Sequence, residues 1–472
     1  MEQLMERLSN MDLEEVDWIH SLPLFYRGTG DKLADLQQAQ SVCLDSLTYL
    51  LQAQQECDLK ISRICLLSSR ALPVFGTVEQ PLHGMLAGPL SVIPQEFGIQ
   101  TLWLDVEDTP PDTGWSEVAF ALSLQEQGKE RLALRNGFAW QSETSTLPTN
   151  NQTTAIAEVE KAGLFVVTGG SGAIGTQVCK SLLSDPQSQV AIVSRNPSVP
   201  ADLLQEISRI HLIKADIGNP DTWATTLDSI AEINLPITEI IHASGVSEGN
   251  LISFRDPAET HKKMRSKYEG SIFVEHFIER FQPTRAIYCS SMSAVLGGAG
   301  QLDYASSNAL MDSYAYFRNR AAPHTVRTAI NWEIWNESGM AVSAELHDER
   351  HQQHLKVGLS NDEGRRIFSQ IRTASLPQVL VSTCNIEDSQ YFYRSLIGYN
   401  LENTSDSAET KLTSIQNQTE TLLLEQLGLN QIDHDECSMI WGWTPLLFSI
   451  LWVCLRNTAS GCYFLKFLET PL

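Results

Sequence analysis

Positive charge is scarce in this chain. Across 472 residues, 33 Lys and Arg stand against 57 Asp and Glu, a formal net charge of −24 at pH 7. A surface that neutralises a nucleic-acid backbone needs clustered cations, so a broad nucleic-acid interface is excluded, although a local phosphate pocket is not. The nine cysteines form no CxxC pair and have no histidine at ligand spacing. Neither a zinc centre nor a disulfide framework is therefore indicated, and no metal is expected. The opening "MEQLMERLSNMDLEEVDWIH" lacks the basic start and apolar run of a signal peptide, which makes a reducing cytoplasm the expected location. No repeat of solenoid length is present. Long apolar runs are missing too, with one exception: no residue from Cys437 to Leu455 is charged.

What is present looks globular. The chain is 42% apolar and 19% charged, and its length suits roughly three domains of common size. Between about residues 60 and 140, "ISRICLLSS" and "IQTLWLDVE" read as buried strands and "WSEVAFALSLQEQ" as an amphipathic helix. No glycine-rich turn follows any strand in this half. The polar stretch "QSETSTLPTNNQTT" then reads as a linker or loop. From Leu164 onward, "LFVVT", "QVAIVS", "HLIKA", "TEIIHA", "RAIYCS" and "VRTAINW" alternate with helix-length segments. That pattern predicts a Rossmann-like doubly wound parallel sheet covered on both faces. A second polar stretch, "ENTSDSAET", marks a linker, and "KLTSIQNQTETLLLEQLGL" after it has the spacing of a short amphipathic helix.

The segment "LFVVTGGSGAIGTQVCKSLL" sets Gly170, Gly172 and Gly175 in G-x-G-x-x-G spacing between a strand and a helix. Such glycines permit a tight turn and close approach to a pyrophosphate at a helix N-terminus. The following strand closes on Ser194 and Arg195 rather than on an acidic residue. An arginine there accommodates a 2′-phosphate and favours NADPH over NADH, although a solvent-exposed surface arginine would look the same. Asp216, after the third strand, is a candidate for the adenine edge, and an Asp closing a strand is also common.

In "AIYCSSMSAVLGGAGQLDYASSNALMDSYA" a serine follows an apolar strand, Tyr304 stands thirteen residues after Ser291, and Asn308 lies one helical turn beyond the tyrosine. Residues i and i+4 share a helix face, so Tyr304 and Asn308 can point into one cleft. Reducing a ketone takes a proton donor for the developing alkoxide and a dipole on the carbonyl. Singly, each residue has an ordinary reading: a strand-end hydrogen-bonding serine, a helix start.

Here the sequence resembles the ketoreductase domain of modular polyketide synthases, within the short-chain dehydrogenase/reductase superfamily. "TGGSGAIG", "IIHASGV", "SKYEGS", "YCSSMSAVLGGAGQLDYASSNALMD" and "INWEIWNESGMA" follow the family motifs in order. The resemblance spans about residues 60 to 395. It implies Tyr304 as general acid, Ser291 hydrogen-bonded to the carbonyl, Lys267 lowering the tyrosine pKa, and Asn308 supporting a proton relay. For NADPH it implies Thr168, Gly170, Ser171, Gly172, Ile174, Gly175, Ser194, Arg195, Asp216, Ala243, Ser244 and Gly245. It also implies that residues 1–150 form a degenerate Rossmann-like structural subdomain without cofactor and residues 151–400 the catalytic unit. Two stereochemical fingerprints of the family are missing: Ser247, Glu248 and Gly249 replace an acidic triplet, and Leu296 stands where some members carry Trp. Glu333 replaces a residue that is often Gly or Asp.

After a linker at 401–414, "LLLEQLGLNQIDHDE" resembles the start of an acyl-carrier domain, so residues 415–472 are expected to be a small helical, partial or degenerate carrier segment. The family's phosphopantetheine serine has no counterpart, and Pro445 stands in its place. Joining the last nucleotide of each codon to the first two of the next along "MIWGWTP" permits "DLGLDS", the carrier motif. A frame disruption across Ser438 to about Gly461 is therefore expected, with a membrane anchor and a buried helix as alternatives. The expected substrate is an acyl thioester on a carrier domain, with other synthase modules as partners. A free-standing reductase of small carbonyls and an inactive structural remnant are the rival readings.

Overall fold

The computed structural model describes residues 15–26, 28–56, 60–107, 130–147, 162–246, 249–317, 322–343, 349–386, 388–389, 393, 449–450, 453–455 and 462–471. Two sheets organise them. In the first, β1 (Glu15–His20), β2 (Lys60–Ser69), β3 (Gln100–Val106) and β4 (Arg131–Arg135) run parallel, and β5 (Phe138–Leu147) turns back antiparallel to β4. The second holds β6 (Gly163–Thr168), β7 (Ser188–Ser194), β8 (Ile210–Lys214), β9 (Ile237–His242), β10 (Arg285–Ser291), β11 (Val326–Trp332) and β12 (Gln378–Leu380). Its order is β12-β11-β10-β9-β6-β7-β8, and all its pairings are parallel. The order reverses beside β6, where the glycine turn lies, and such a switch point is where α/β sheets bind ligands.

The six strands expected from Leu164 onward are all present, and their side chains show why. Along β6, Leu164 and Val166 enter one core while Phe165 and Val167 enter another. On β7, Ala191 and Val193 separate in the same way from Val190 and Ile192, and on β10 Ala286 and Tyr288 separate from Ile287 and Cys289. Successive residues point to opposite faces of a sheet, so a strand buried on both reads as an unbroken apolar run.

The helices that shape the site are α1 (Ala87–Phe97), α2 (Ala173–Leu183), α3 (Pro257–Phe281), α4 (Leu302–Tyr316), α5 (Glu349–Val357) and α6 (Asn361–Thr373). Ile64 and Leu66 of β2 and Trp103 of β3 enter the same core as Val166, Tyr268 and Leu310. One face of the first sheet therefore closes over the second through α1 and α4. Gly88 on α1 and Gly84 in the turn just before it bring this segment against α4: a Cβ on Gly88 would lie 1.9 Å from Ser306 Oγ, and one on Gly84 1.9 Å from Ser313 Oγ. Ionic contacts tie the same junction. Arg255 donates to Asp303 at 2.7 and 2.8 Å and to Asp45 at 2.9 Å, and all but Asp45 are buried.

Two sequence expectations need correction, and one element was not foreseen. The polar run from Gln141 is not wholly a linker, because residues 141–147 continue β5. Much of this strand is exposed, so its pairing does not require an apolar alternation. The opening segment contains a strand, β1, held by β2 along one edge. The tail was expected to be helical, but its described part is β-structure: β13 (Ser449–Ile450), β14 (Val453–Leu455) and β15 (Cys462–Pro471). β15 pairs antiparallel with β5, from Phe464 opposite Leu147 to Pro471 opposite Trp140. Tyr463, Phe464 and Phe467 are strong strand formers, and β5 otherwise offers an unpaired edge. The expected helix "WSEVAFALSLQEQ", the segment 411–429 and residues 437–448 of the uncharged run lie outside the described residues. Among the described residues no helix is long and apolar enough to cross a membrane.

Candidate active site

The turn leaving β6 fits a dinucleotide by its backbone. Gly169 has φ +72°, and a Cβ there would lie 2.8 Å from the Ala243 carbonyl and the Ser244 backbone. A Cβ on Gly175 would lie 2.2 Å from the Gly169 carbonyl oxygen, so only glycine lets α2 start this close to the turn. Gly172 caps α2 with no side-chain hydrogen bond, which leaves its first N–H groups without a side-chain cap at the positive end of the helix. The spacing argument missed Gly169, although the doubled glycine of "TGG" carries the signal.

The other expected cofactor residues divide into groups that face the crevice and groups that build it. Ser194 Oγ is buried with no partner among the described residues, and Arg195 beside it is exposed. An orphaned hydroxyl next to an open guanidinium, at the rim of the crevice, suits a phosphorylated ribose. Ser171 Oγ donates to the Ser198 carbonyl at 3.0 Å and anchors the neighbouring loop. Ile174 packs on the core beneath α2. Thr168 lies beneath the turn, fully buried, with its hydroxyl 2.8 Å from His242 Nδ1. Asp216 closes its own turn by accepting from Gly218 N at 3.0 Å and pairs with Arg265 at 3.5 Å. Ala243 donates its N–H to the Thr168 carbonyl at 3.0 Å, which joins the second wall to the first. Ser244 forms the backbone that crowds Gly169. A Cβ on Gly245 would lie 2.5 Å from Lys267 Cε, so this glycine gives the lysine its passage.

The four expected catalytic residues come from three elements and converge. Ser291 ends β10, Lys267 sits midway along α3, and Tyr304 and Asn308 lie one turn apart on α4. Asp256 starts α3 by accepting the N–H groups of Ala258 and Glu259 at 2.9 and 3.3 Å. Lys267 Nζ donates to Asn308 Oδ1 at 2.9 Å and lies 5.3 Å from the centre of the Tyr304 ring. Asn308 Nδ2 donates in turn to the Tyr304 carbonyl at 2.7 Å. Ser291 Oγ is fixed by the N–H of Ser293 at 3.2 Å, and its hydroxyl is among the groups that lower the proton affinity of Tyr304.

Burial sets the proton affinities. It pushes the Tyr304 phenol above its ordinary value, opposed by the hydrogen bonds to Ser291 and Asn308, so the phenol stays a proton donor. Burial lowers the Lys267 ammonium to about 8, opposed by Cys289 and Asp312. A phenol that keeps its proton beside a readily deprotonated lysine is an acid with a nearby source of replenishment.

The sequence singled out Glu333 only as a departure. The structure buries it where β11 ends and gathers His354, Ser382, Ser389 and Tyr393 around its carboxylate. Spacing could not find these partners, which come from two segments distant in sequence from Glu333.

Residues 163–337 match the KR domain family. Polyketide synthase PksN of Bacillus subtilis is 28% identical over 197 residues, which are 39% of this chain and 4% of that protein. The 6-methylsalicylic acid synthase of Aspergillus terreus is 25% identical over 258 residues, or 50% of this chain and 14% of that one. This chain thus spans a small part of the relatives it matches. Solved A-type ketoreductases from a modular polyketide synthase share the fold with a TM-score of 0.68 at 20% identity, covering 86% of each chain. A ketoreductase domain from the bacillaene assembly line does so with a TM-score of 0.62 at 19% identity, covering 78% of this chain and 92% of the other. The turn, the crevice and the convergent lysine, serine, tyrosine and asparagine all fall within the segment that matches the KR domain family, and the chain shares the fold of solved ketoreductases.

Proposed function

We propose that this chain is the ketoreductase of a polyketide synthase and reduces a β-ketoacyl thioester to the β-hydroxyacyl thioester. The observation that carries the proposal is the convergence of Lys267, Ser291, Tyr304 and Asn308 beside the glycine turn. NADPH, held by the Gly169–Gly175 turn, Ser194 and Arg195, supplies hydride when bound. The Ser291 hydroxyl orients and polarises the substrate carbonyl. Tyr304 Oη gives its proton to the oxygen that gains charge, and Lys267, steered by Asn308, holds positive charge against the resulting phenolate. The proton lost by Tyr304 is restored along Lys267 and Asn308.

The substrate reaches the site on a carrier domain, and residues 1–150, 151–400, 401–414 and 415–472 divide into structural subdomain, catalytic unit, linker and damaged carrier. The carrier reading rests on the codon register through "MIWGWTP", which permits Asp-Ser one nucleotide out of frame. Resequencing the DNA for residues 438–461 tests it, and a region with no alternative frame encoding Asp-Ser contradicts it. For the reduction itself, NADPH oxidation with a β-ketoacyl thioester is the assay, and equal rates in wild type and Tyr304→Phe overturn the mechanism.

A further inference from the structure

Ser291 and Tyr304 are joined by one segment, residues 292–303, and the way it is held sets the separation of the two hydroxyls. Part of it is a short helical turn, Ser293–Leu296. The part that follows, "GGAGQ", has Gly297 at φ +75° and Gly300 at φ +77°. Glycine enters this left-handed backbone freely, and such a run does little to fix itself. Its order comes from the last turn of α1. Gln95 Nε2 donates to the Leu296 carbonyl at 2.8 Å. Glu96 Oε1 accepts from Gly300 N at 2.8 Å, and its other oxygen, Oε2, accepts from Ile252 N at 2.7 Å.

The bond to Ile252 ties in the loop that leaves the carboxyl end of β9, the end of the sheet at which α/β proteins bind ligands. Gln52 Nε2 holds the same loop by the carbonyls of Ile252 and Arg255, at 3.0 and 2.9 Å. The two loops also touch directly, since a Cβ on Gly249 would lie 1.8 Å from the Gly300 carbonyl oxygen. One carboxylate therefore clasps both. The task suits glutamate, because an ionised carboxylate offers two acceptors and no donor, and its bonds to N–H groups are charge-assisted. An acidic residue in the last turn of a helix opposes the helix dipole. Glu96 does not serve the helix that carries it.

We infer that Glu96, with Gln95 beside it, is a positioning residue for the reduction: it fixes the segment between Ser291 and Tyr304 and locks the loop after β9 against that segment. The ketone has to lie between the hydride donor and these two hydroxyls. A loosened clasp misplaces the hydroxyls and lets the acyl chain take a second orientation, which exposes the other face of the carbonyl. The inference rests on the proposed reduction for its kinetic and stereochemical readouts, and not for its structural ones.

The test is Glu96→Gln in the full chain, a nearly isosteric change that turns one acceptor into a donor facing an N–H. Hydrogen exchange read by mass spectrometry should be about tenfold faster in a peptide containing Ile252 or Gly300. With 13C-ζ-labelled tyrosine, the resonance that Tyr304→Phe removes should be displaced. With a β-ketoacyl thioester, kcat should fall on the order of ten- to a hundredfold, as for a misplaced reacting group, while the KM for NADPH stays in place. The ratio of the two β-hydroxy enantiomers should shift toward equality. A protein that has merely lost folded molecules makes less product in an unchanged ratio. Unchanged exchange in both peptides, or slower turnover with the Tyr304 resonance and the enantiomer ratio in place, overturns the inference. If Glu96→Gln does not fold, Gln95→Met, which removes the donor to Leu296 and keeps the side chain's length, decides by the Tyr304 resonance and the enantiomer ratio. If the wild type reduces no thioester, the reduction fails by itself and the Tyr304 resonance judges the positioning role, an unmoved resonance overturning it.

Discussion

Lys267 Nζ donates to Asn308 Oδ1 at 2.9 Å while lying 5.3 Å from the centre of the Tyr304 ring. Asn308 returns to the tyrosine through a 2.7 Å bond to its backbone carbonyl. The asparagine thus aims the lysine at the phenol. Replacing Asn308 by Ala leaves the ammonium without its acceptor, and kcat is expected to fall about tenfold, the value of one buried hydrogen bond to a charged group. Steady-state kinetics at saturating cofactor check this. An unchanged kcat would show that Lys267 needs no steering.

The state of Lys267 also sets a pH dependence. Burial lowers its ammonium to about 8, so the positive charge facing Tyr304 is present below that pH and lost above it. Reduction should decline as pH rises through about 8. Lys267→Met should be slow at every pH and lack that limb. A limb of the same position in the variant would assign it to another group.

The proposed NADPH preference rests on Arg195, exposed just after β7 beside a Ser194 hydroxyl that has no partner among the described residues. Arg195→Ala should raise the KM for NADPH about tenfold and leave that for NADH nearly unchanged, because only the 2′-phosphate loses a charge-assisted contact. Fluorescence titration with both cofactors reads the difference.

Gly88 holds α1 against α4 at contact distance. A methyl group at Gly88 would lie 1.9 Å from Ser306 Oγ and 2.8 Å from the Leu302 carbonyl on α4. Gly88→Ala is expected to destabilise the protein by about 1–3 kcal/mol through overpacking. Adding Ser306→Ala should recover part of that, since it removes the nearest atom and leaves the Leu302 carbonyl. Urea denaturation of the two variants measures both effects.

Asp312 follows Asn308 by one turn on α4. One carboxylate oxygen accepts from Asn331 Nδ2 at 2.7 Å, and the other is buried without a partner among the described residues. Burial raises its carboxyl to about 7. A group whose folded pKa lies above its unfolded value contributes stability that is complete below the unfolded value and lost as pH rises through the folded one. Asp312→Asn should therefore raise the melting temperature at pH 8 and change it little at pH 4.

Much of the second sheet was legible because its strands are buried on both faces and read as continuous apolar runs. The glycine turn and the placement of the tyrosine–asparagine pair on one helix were legible because both follow from local spacing. β5 was hidden by its polar, exposed faces, and β1 by an acidic context, since each gains order from a neighbouring strand rather than from its own pattern. The Tyr393–Glu333–His354 cluster was illegible for a stricter reason. It forms only when the end of β11, helix α5 and the segment after β12 meet, and no local periodicity records such a meeting.

The central claim is that Tyr304 protonates a ketone held by Ser291 while hydride arrives from the cofactor. The most direct measurement incubates the chain with NADPH and a β-ketoacyl N-acetylcysteamine thioester and follows the β-hydroxyacyl product by mass spectrometry, in wild type and Tyr304→Phe. Stoichiometric product in the wild type with a loss of at least about a hundredfold in the variant, as for removal of a general acid, is the predicted result. Equal product from both proteins would contradict the account.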